Sequence, residues 1–214
     1  MELVEARTLG DAWLEVARRI LDSGDEATWG GAPTREAAHL AIVVEEPDPA
    51  DGLIAELGDP EWLRWMHANF FETRPVAELG GADSYATRLF DYEHSGRDQL
   101  AWVVDRLRAD PECRDATITT FQPHTDTTYI PCVSLLDFWL RDGSVELVVY
   151  AHGLDFGKKA YGNLVELAAL QSHVARELRS SPGRIVLHVK TAHVYEPELE
   201  LMRELASSPA ARRA

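Results

Sequence analysis

The stretch from Cys132 to Tyr150 constrains the fold of this chain more than any other. Cys132 to Leu140 and Val145 to Tyr150 are rich in Val, Leu, Phe, Trp and Tyr, and Arg141-Asp142-Gly143-Ser144 between them has the composition of a turn. That pattern predicts two adjacent antiparallel strands. An apolar-rich helix follows over Asn163 to Leu178, then a strand over Arg184 to Thr191 that leads into His193 and Tyr195. At 214 residues and 45% hydrophobic content the chain can bury one sizeable core, so a single α/β (α+β) domain is expected over residues 1 to 206, with a flexible tail from Ser207 to Ala214.

The N-terminal half has weaker but readable signals. Trp13, Leu14, Ala17, Ile20 and Leu21 recur at helical spacing within Asp11 to Leu21, before Ser23-Gly24. Ala37 to Val44 reads as a strand and Pro60 to Phe71 as a helix. The aromatic stripe of that helix, Trp62, Trp65 and Phe70, reads as core. A further helix is predicted over Arg97 to Arg108 and a strand over Ala116 to Phe121.

Composition excludes several function classes. With 36 acidic against 21 basic residues, a net charge of −15 repels phosphate backbones and anionic lipid, so neither nucleic acid nor a membrane is an expected partner. No apolar run reaches the roughly 20 residues of a membrane span, and the acidic start Met1-Glu2-Leu3-Val4-Glu5 is unlike a signal peptide, which points to the cytoplasm. Cys113 and Cys132 form no paired framework, and no His/Cys spacing suggests a metal site.

Cys132 follows a proline at a strand start, and only its surroundings can decide whether its thiol is reactive. The residues around it are ordered: Gly81-Ala82-Asp83-Ser84-Tyr85-Ala86-Thr87-Arg88, Asp98-Gln99-Leu100, Asp110-Pro111-Glu112-Cys113-Arg114, Tyr129-Ile130-Pro131-Cys132, Tyr150-Ala151-His152-Gly153-Leu154-Asp155, Asn163, and His193-Val194-Tyr195. Over residues 80 to 200 this series resembles the thymidylate synthase and pyrimidine hydroxymethylase superfamily. The resemblance implies a thymidylate synthase-like fold, a mixed sheet flanked by helices, in a homodimer. It also implies a one-carbon transfer from 5,10-methylenetetrahydrofolate to C5 of a pyrimidine.

By that resemblance Cys132 is the nucleophile that adds to C6, Tyr85 assists proton removal at C5, and Asn163 reads the pyrimidine amide edge. His193 and Tyr195 hold the sugar hydroxyl, Asp155 contacts the folate pterin, and Arg114 reaches a phosphate across the dimer. Read without the family, Asn163 is also suited to a helix N-cap and Asp155 to a turn.

The pattern departs from the family in places. His152-Gly153 stands where the family has an Arg-Ser phosphate grip, and Trp29-Gly30-Gly31 where it has an early phosphate arginine. One imidazole does not replace bidentate guanidinium forks, so an acceptor without a 5′-phosphate is expected and Cys132 is expected to rely on His152. The helix that carries the family's catalytic glutamate is expected, shortened, at residues 50–57, leaving Asp51 or Glu56 as substitutes. The short stretch after Tyr195 suggests that no closing tail excludes water, which favours hydroxymethylation over methylation. The alternatives are a non-catalytic nucleoside-binding member of the superfamily and a different Cys-dependent transfer on the same scaffold.

Overall fold

The computed structural model describes residues 2–127 and 129–211. A first strand β1 (Glu2–Ala6) leads into helix α1 (Leu9–Ser23), whose N-terminus Thr8 and Asp11 close with a reciprocal capping box. The hairpin of β2 (Asp25–Trp29) and β3 (Ala32–Val44) turns through Gly30 and Gly31. Their φ values of 58° and 85° explain the glycine pair, since a tight two-residue hairpin loop needs positive φ at both positions. Helices α2 (Gly52–Leu57) and α3 (Pro60–Phe71) follow, then the small pair β4 (Pro75–Val76) and β5 (Ala82–Asp83), and helices α4 (Tyr85–Phe90) and α5 (Gln99–Ala109).

The second half supplies β6 (Ala116–Thr119), β7 (Val133–Arg141), β8 (Ser144–Ala151), β9 (Leu154–Asp155), α6 (Ala160–Glu177), β10 (Ser181–Tyr195) and α7 (Leu199–Ser207). β7 and β8 form the expected antiparallel hairpin across Arg141 and Ser144. The sheet is mixed and eight-stranded, ordered β1-β3-β10-β8-β7-β6, with β2 paired to β3 and β9 to β10.

Its register shows why the strands alternate as they do. Leu136, Val149, Leu187, Ile42 and Val4 stand abreast across five strands, as do Phe138, Leu147 and Ile185, and all are buried. α1, α5 and α6 cover this face. The opposite face carries Leu135, Tyr150, His188, Ala41 and Leu3 in one row and Val148, Val186 and Val43 in the next. Leu3, Leu135 and Val148 are exposed there.

Two expectations are adjusted. Residues 207–211 of the expected tail are held against α1: Ala210 is buried, and the Arg18 guanidinium donates to the carbonyls of Ala206 and Ala211. Residues 212–214 lie outside the described residues. The central helix begins at Ala160, three positions before Asn163, so Asn163 lies in its first turn and does not cap it. Among the described residues no helix is long and apolar enough to cross a membrane.

Candidate active site

β7 begins, and β8 and β10 end, on one side of the sheet, and there α3, α4 and the N-terminus of α6 enclose a cavity of about 220 Å³. Cys132, Tyr85, His152, Asp155, Asn163, His193 and Tyr195 all line it. Arg114 does not: it is exposed in the loop after α5. The lining also includes Trp29 and Tyr129, which lie in the sequence motifs without an assigned role, and Trp65, Met66, Asn69 and Lys159, which no motif assigns to the site.

Cys132 is half-buried immediately before β7, and its carbonyl accepts the His152 amide at 3.0 Å. The next amide, that of Val133, donates to the Tyr85 hydroxyl oxygen at 2.9 Å. Tyr85 is therefore tied to the cysteine strand from below. Its ring stacks on Phe70 at 4.3 Å, and its amide donates to the buried Asn69 side chain at 3.2 Å. Burial holds the Tyr85 phenol well above its ordinary pKa, so the hydroxyl keeps its proton.

Burial also raises the Cys132 thiol, while the Lys159 ammonium acts against it and Asp155 with it. His152 was the expected activator. Burial, reinforced by the Lys190 charge, pushes its imidazole toward the neutral form, which leaves it little positive charge to set against a thiolate. His193 is likewise driven neutral, chiefly by burial. Its ring stacks on the exposed Trp29 at 6.2 Å and meets Tyr195 edge-on at 5.1 Å.

Asp155 combines a turn role with a place in the cavity. Its carboxylate accepts the Gly157 amide at 3.0 Å, and β9 holds it beside His193 in register with β10. Burial pushes its pKa up to about 6. Asn163 is buried, with its amide nitrogen 3.5 Å from the Met66 sulfur. α3 and α6 touch closely here: a Cβ built on Gly162 would stand 3.1 Å from the Met66 Cβ.

The expected glutamate substitutes are elsewhere. Asp51 is structural, accepting the Ile54 amide as the cap of α2 and the Gly10 amide, each at 2.9 Å. Glu56 is exposed and away from the cavity. The helix that borders the site is α3 and not the 50–57 segment, and it offers Trp65, Met66 and Asn69. Asp155 is the one carboxylate among the described lining residues. No group of three or more His, Cys, Asp or Glu side chains among the described residues could hold a metal ion.

Residues 51–212 match the family model described as "Thymidylate synthase". The chain belongs to the thymidylate synthase family. The match begins well before the motif-bearing segment and takes in α3. Membership makes the protein an enzyme of the one-carbon transferase class. Relatives described as "Putative thymidylate synthase" match most of its length. The protein from Methanosarcina barkeri is 28% identical over 211 residues, 95% of this chain and 94% of its own. That from Methanothermobacter thermautotrophicus is 29% identical over 218 residues, 94% and 97% of the two chains. The "Thymidylate synthase" of varicella-zoster virus is 26% identical over 158 residues, 68% of this chain and 52% of the viral one.

Proposed function

We propose that this thymidylate synthase family member adds a one-carbon unit, as a hydroxymethyl group, to C5 of a pyrimidine or related heterocycle that carries no 5′-phosphate. It would act as a cytoplasmic homodimer in specialised nucleoside metabolism. The supporting observation is the convergence of Cys132, Tyr85, Asn163, Asp155, His193 and Tyr195 on one cavity from separate elements of the fold.

In this reading the Cys132 thiolate adds to C6, which makes C5 a carbon nucleophile and replaces one difficult step by easier ones. Asn163 offers a donor and an acceptor to the amide edge of the ring. Tyr85, held protonated, donates or relays a proton near C5. His193 and Tyr195 bind the sugar hydroxyl, the neutral His193 acting as a hydrogen-bonding group and not as a charge. Arg114 would serve the cavity of a partner subunit.

Methylenetetrahydrofolate, when bound, supplies the carbon. Asp155 would hold its pterin edge, and Trp65 fits the same role because its buried indole Nε1 has no hydrogen-bond partner among the described residues.

Substrate form follows from charge and size. Lys159 is the one Lys or Arg among the described lining residues, and the cavity is smaller than the roughly 300–1,000 Å³ of most ligand sites. Both features favour a base or nucleoside over a nucleotide. No described residue after Tyr195 lines the cavity, and α7 packs on α1.

One observation favours a second reading, nucleoside binding without turnover: α3 presents Met66 and no carboxylate to the cavity. Mass spectrometry with candidate pyrimidines and methylenetetrahydrofolate separates the two. A product heavier by a hydroxymethyl group, and a covalent adduct lost in Cys132→Ser, are expected. Wild-type turnover in Cys132→Ser would refute covalent C6 addition, and Asn163→Asp is expected to shift preference toward a cytosine-type edge.

A further inference from the structure

We propose that Lys159, which lines the same cavity of about 220 Å³ as Cys132, is the positioning residue that makes Cys132 a nucleophile by supplying a counter-charge to its thiolate. Lys159 occupies the N-cap position of α6, an 18-residue helix, and makes no side-chain capping bond there. A cation at a helix N-terminus opposes the helix dipole, and Lys158 beside it adds a second. Lysines in that position are locally unfavourable, and such violations of local rules concentrate at functional sites.

The two lysines are treated differently by their surroundings. Lys158 also stands 5.7 Å from the Trp62 ring centre, but its charge is paired with Glu198 at 3.1 Å. Lys159 forms no ion pair among the described residues. Instead its Nζ lies 5.2 Å from the Trp62 ring centre and 5.5 Å from that of Trp65, a bracket of two indoles that fixes a charge without neutralising it. The indoles of α3, read from sequence as core, thus hold a cation at the wall of the cavity.

The groups that face Cys132 leave this role to Lys159. Asp155 on β9 opposes ionisation, while the phenols of Tyr85 on α4, Tyr129 in the loop before Cys132 and Tyr195 on β10 are pushed upward, stay protonated and bring no charge. His152 and His193 are driven toward neutrality. Against this set and against burial, Lys159 supplies the side-chain charge that lowers the thiol. The thiol proton passes to solvent and the remaining sulfur anion is held by the ammonium. A neighbouring opposite charge moves a titration by about 1–3 units, enough to change the thiolate fraction at neutral pH at least tenfold.

The proposal rests on Cys132 being the nucleophile, but its test needs neither pyrimidine nor folate. The rate of iodoacetamide alkylation at Cys132, followed by peptide mass spectrometry against pH, reads the thiolate directly and separately from Cys113. Lys159→Met is expected to raise the alkylation midpoint by about one pH unit or more. Lys159→Arg should restore the wild-type profile, and Lys158→Met and His152→Gln should leave it unchanged. Circular dichroism of each variant establishes that the fold is intact, and Lys159→Gln gives a second neutral replacement. An unmoved midpoint in both neutral variants, or an equal shift in Lys158→Met or His152→Gln, overturns the proposal. If in that case Cys132→Ser still abolishes turnover, the one-carbon reading stands and only the role of Lys159 falls.

Discussion

Removing Asp126 should cost this protein more stability than any other single carboxylate substitution. Arg88 on α4 and Asp126 in the loop before Cys132 have side chains only 2% and 4% exposed. The guanidinium forms a fork on the carboxylate at 2.8 and 2.7 Å, and also donates to the carbonyls of Thr120 at 2.8 Å and Asp83 at 3.1 Å. Asp126 accepts the Gln122 amide as well, at 2.8 Å.

Asp126→Ala therefore leaves a buried cation without its counter-charge and an amide without its acceptor, a loss of about 3–5 kcal/mol against a total stability of about 5–15 kcal/mol. Arg88→Met combined with Asp126→Leu removes both charges together and should recover most of that loss, because the pair's attraction largely repays its desolvation. Urea unfolding followed by far-UV circular dichroism, with linear extrapolation, measures both. A loss below about 1 kcal/mol in Asp126→Ala, or a double variant no better than the sum of the single ones, would refute the argument. Since α4 also carries Tyr85, Asp126→Ala should slow Cys132 alkylation too.

Asp155 gives a pH prediction of definite sign. Its folded pKa of about 6 lies above the unfolded 3.8, so its burial is harmless below pH 4 and destabilising as pH rises through 6. Asp155→Asn should match wild type near pH 4 and exceed it by up to about 3 kcal/mol at pH 8 in the same urea assay, while losing turnover. Calorimetric titration is expected to find a nucleoside bound at least as well as its monophosphate; a hundredfold preference for the monophosphate, about 2.7 kcal/mol, would contradict the lost phosphate grip. Light scattering at micromolar concentration should give twice the chain mass, and Val148→Asp on the uncovered sheet face should halve it.

Much of this fold can be read from local pattern. α3 occupies Pro60–Phe71 as its proline and aromatic spacing predict, and the β7–β8 hairpin follows its turn. β1 is too short and acidic to stand out, and it forms because β3 offers it a parallel partner. The β2–β3 hairpin did have a signal, the Gly30-Gly31 pair, as did α7 in Leu199, Met202 and Leu205. In the site, residues tied to motifs around Cys132 were legible, but Trp65, Asn69 and Lys159 were not. They reach the cavity through the packing of α3 on α6, which no local spacing encodes. The aromatic stripe of α3 shows this most directly, being core on one side and a cation bracket on the other.

The approach of Gly162 to Met66 limits how this enzyme's acceptor range can change. Two helices already in contact cannot close further, and moving them apart would open the core, so the cavity is reshaped from this side by exchanging side chains of α3, residue 66 at the contact itself. Methionine suits such a position because its unbranched thioether refolds without disturbing the backbone. A shorter side chain there would enlarge the cavity beside Asn163, and a carboxylate would add a second acid to that of Asp155. Position 66 can therefore change the cavity's shape while position 162 holds the two helices at their present distance.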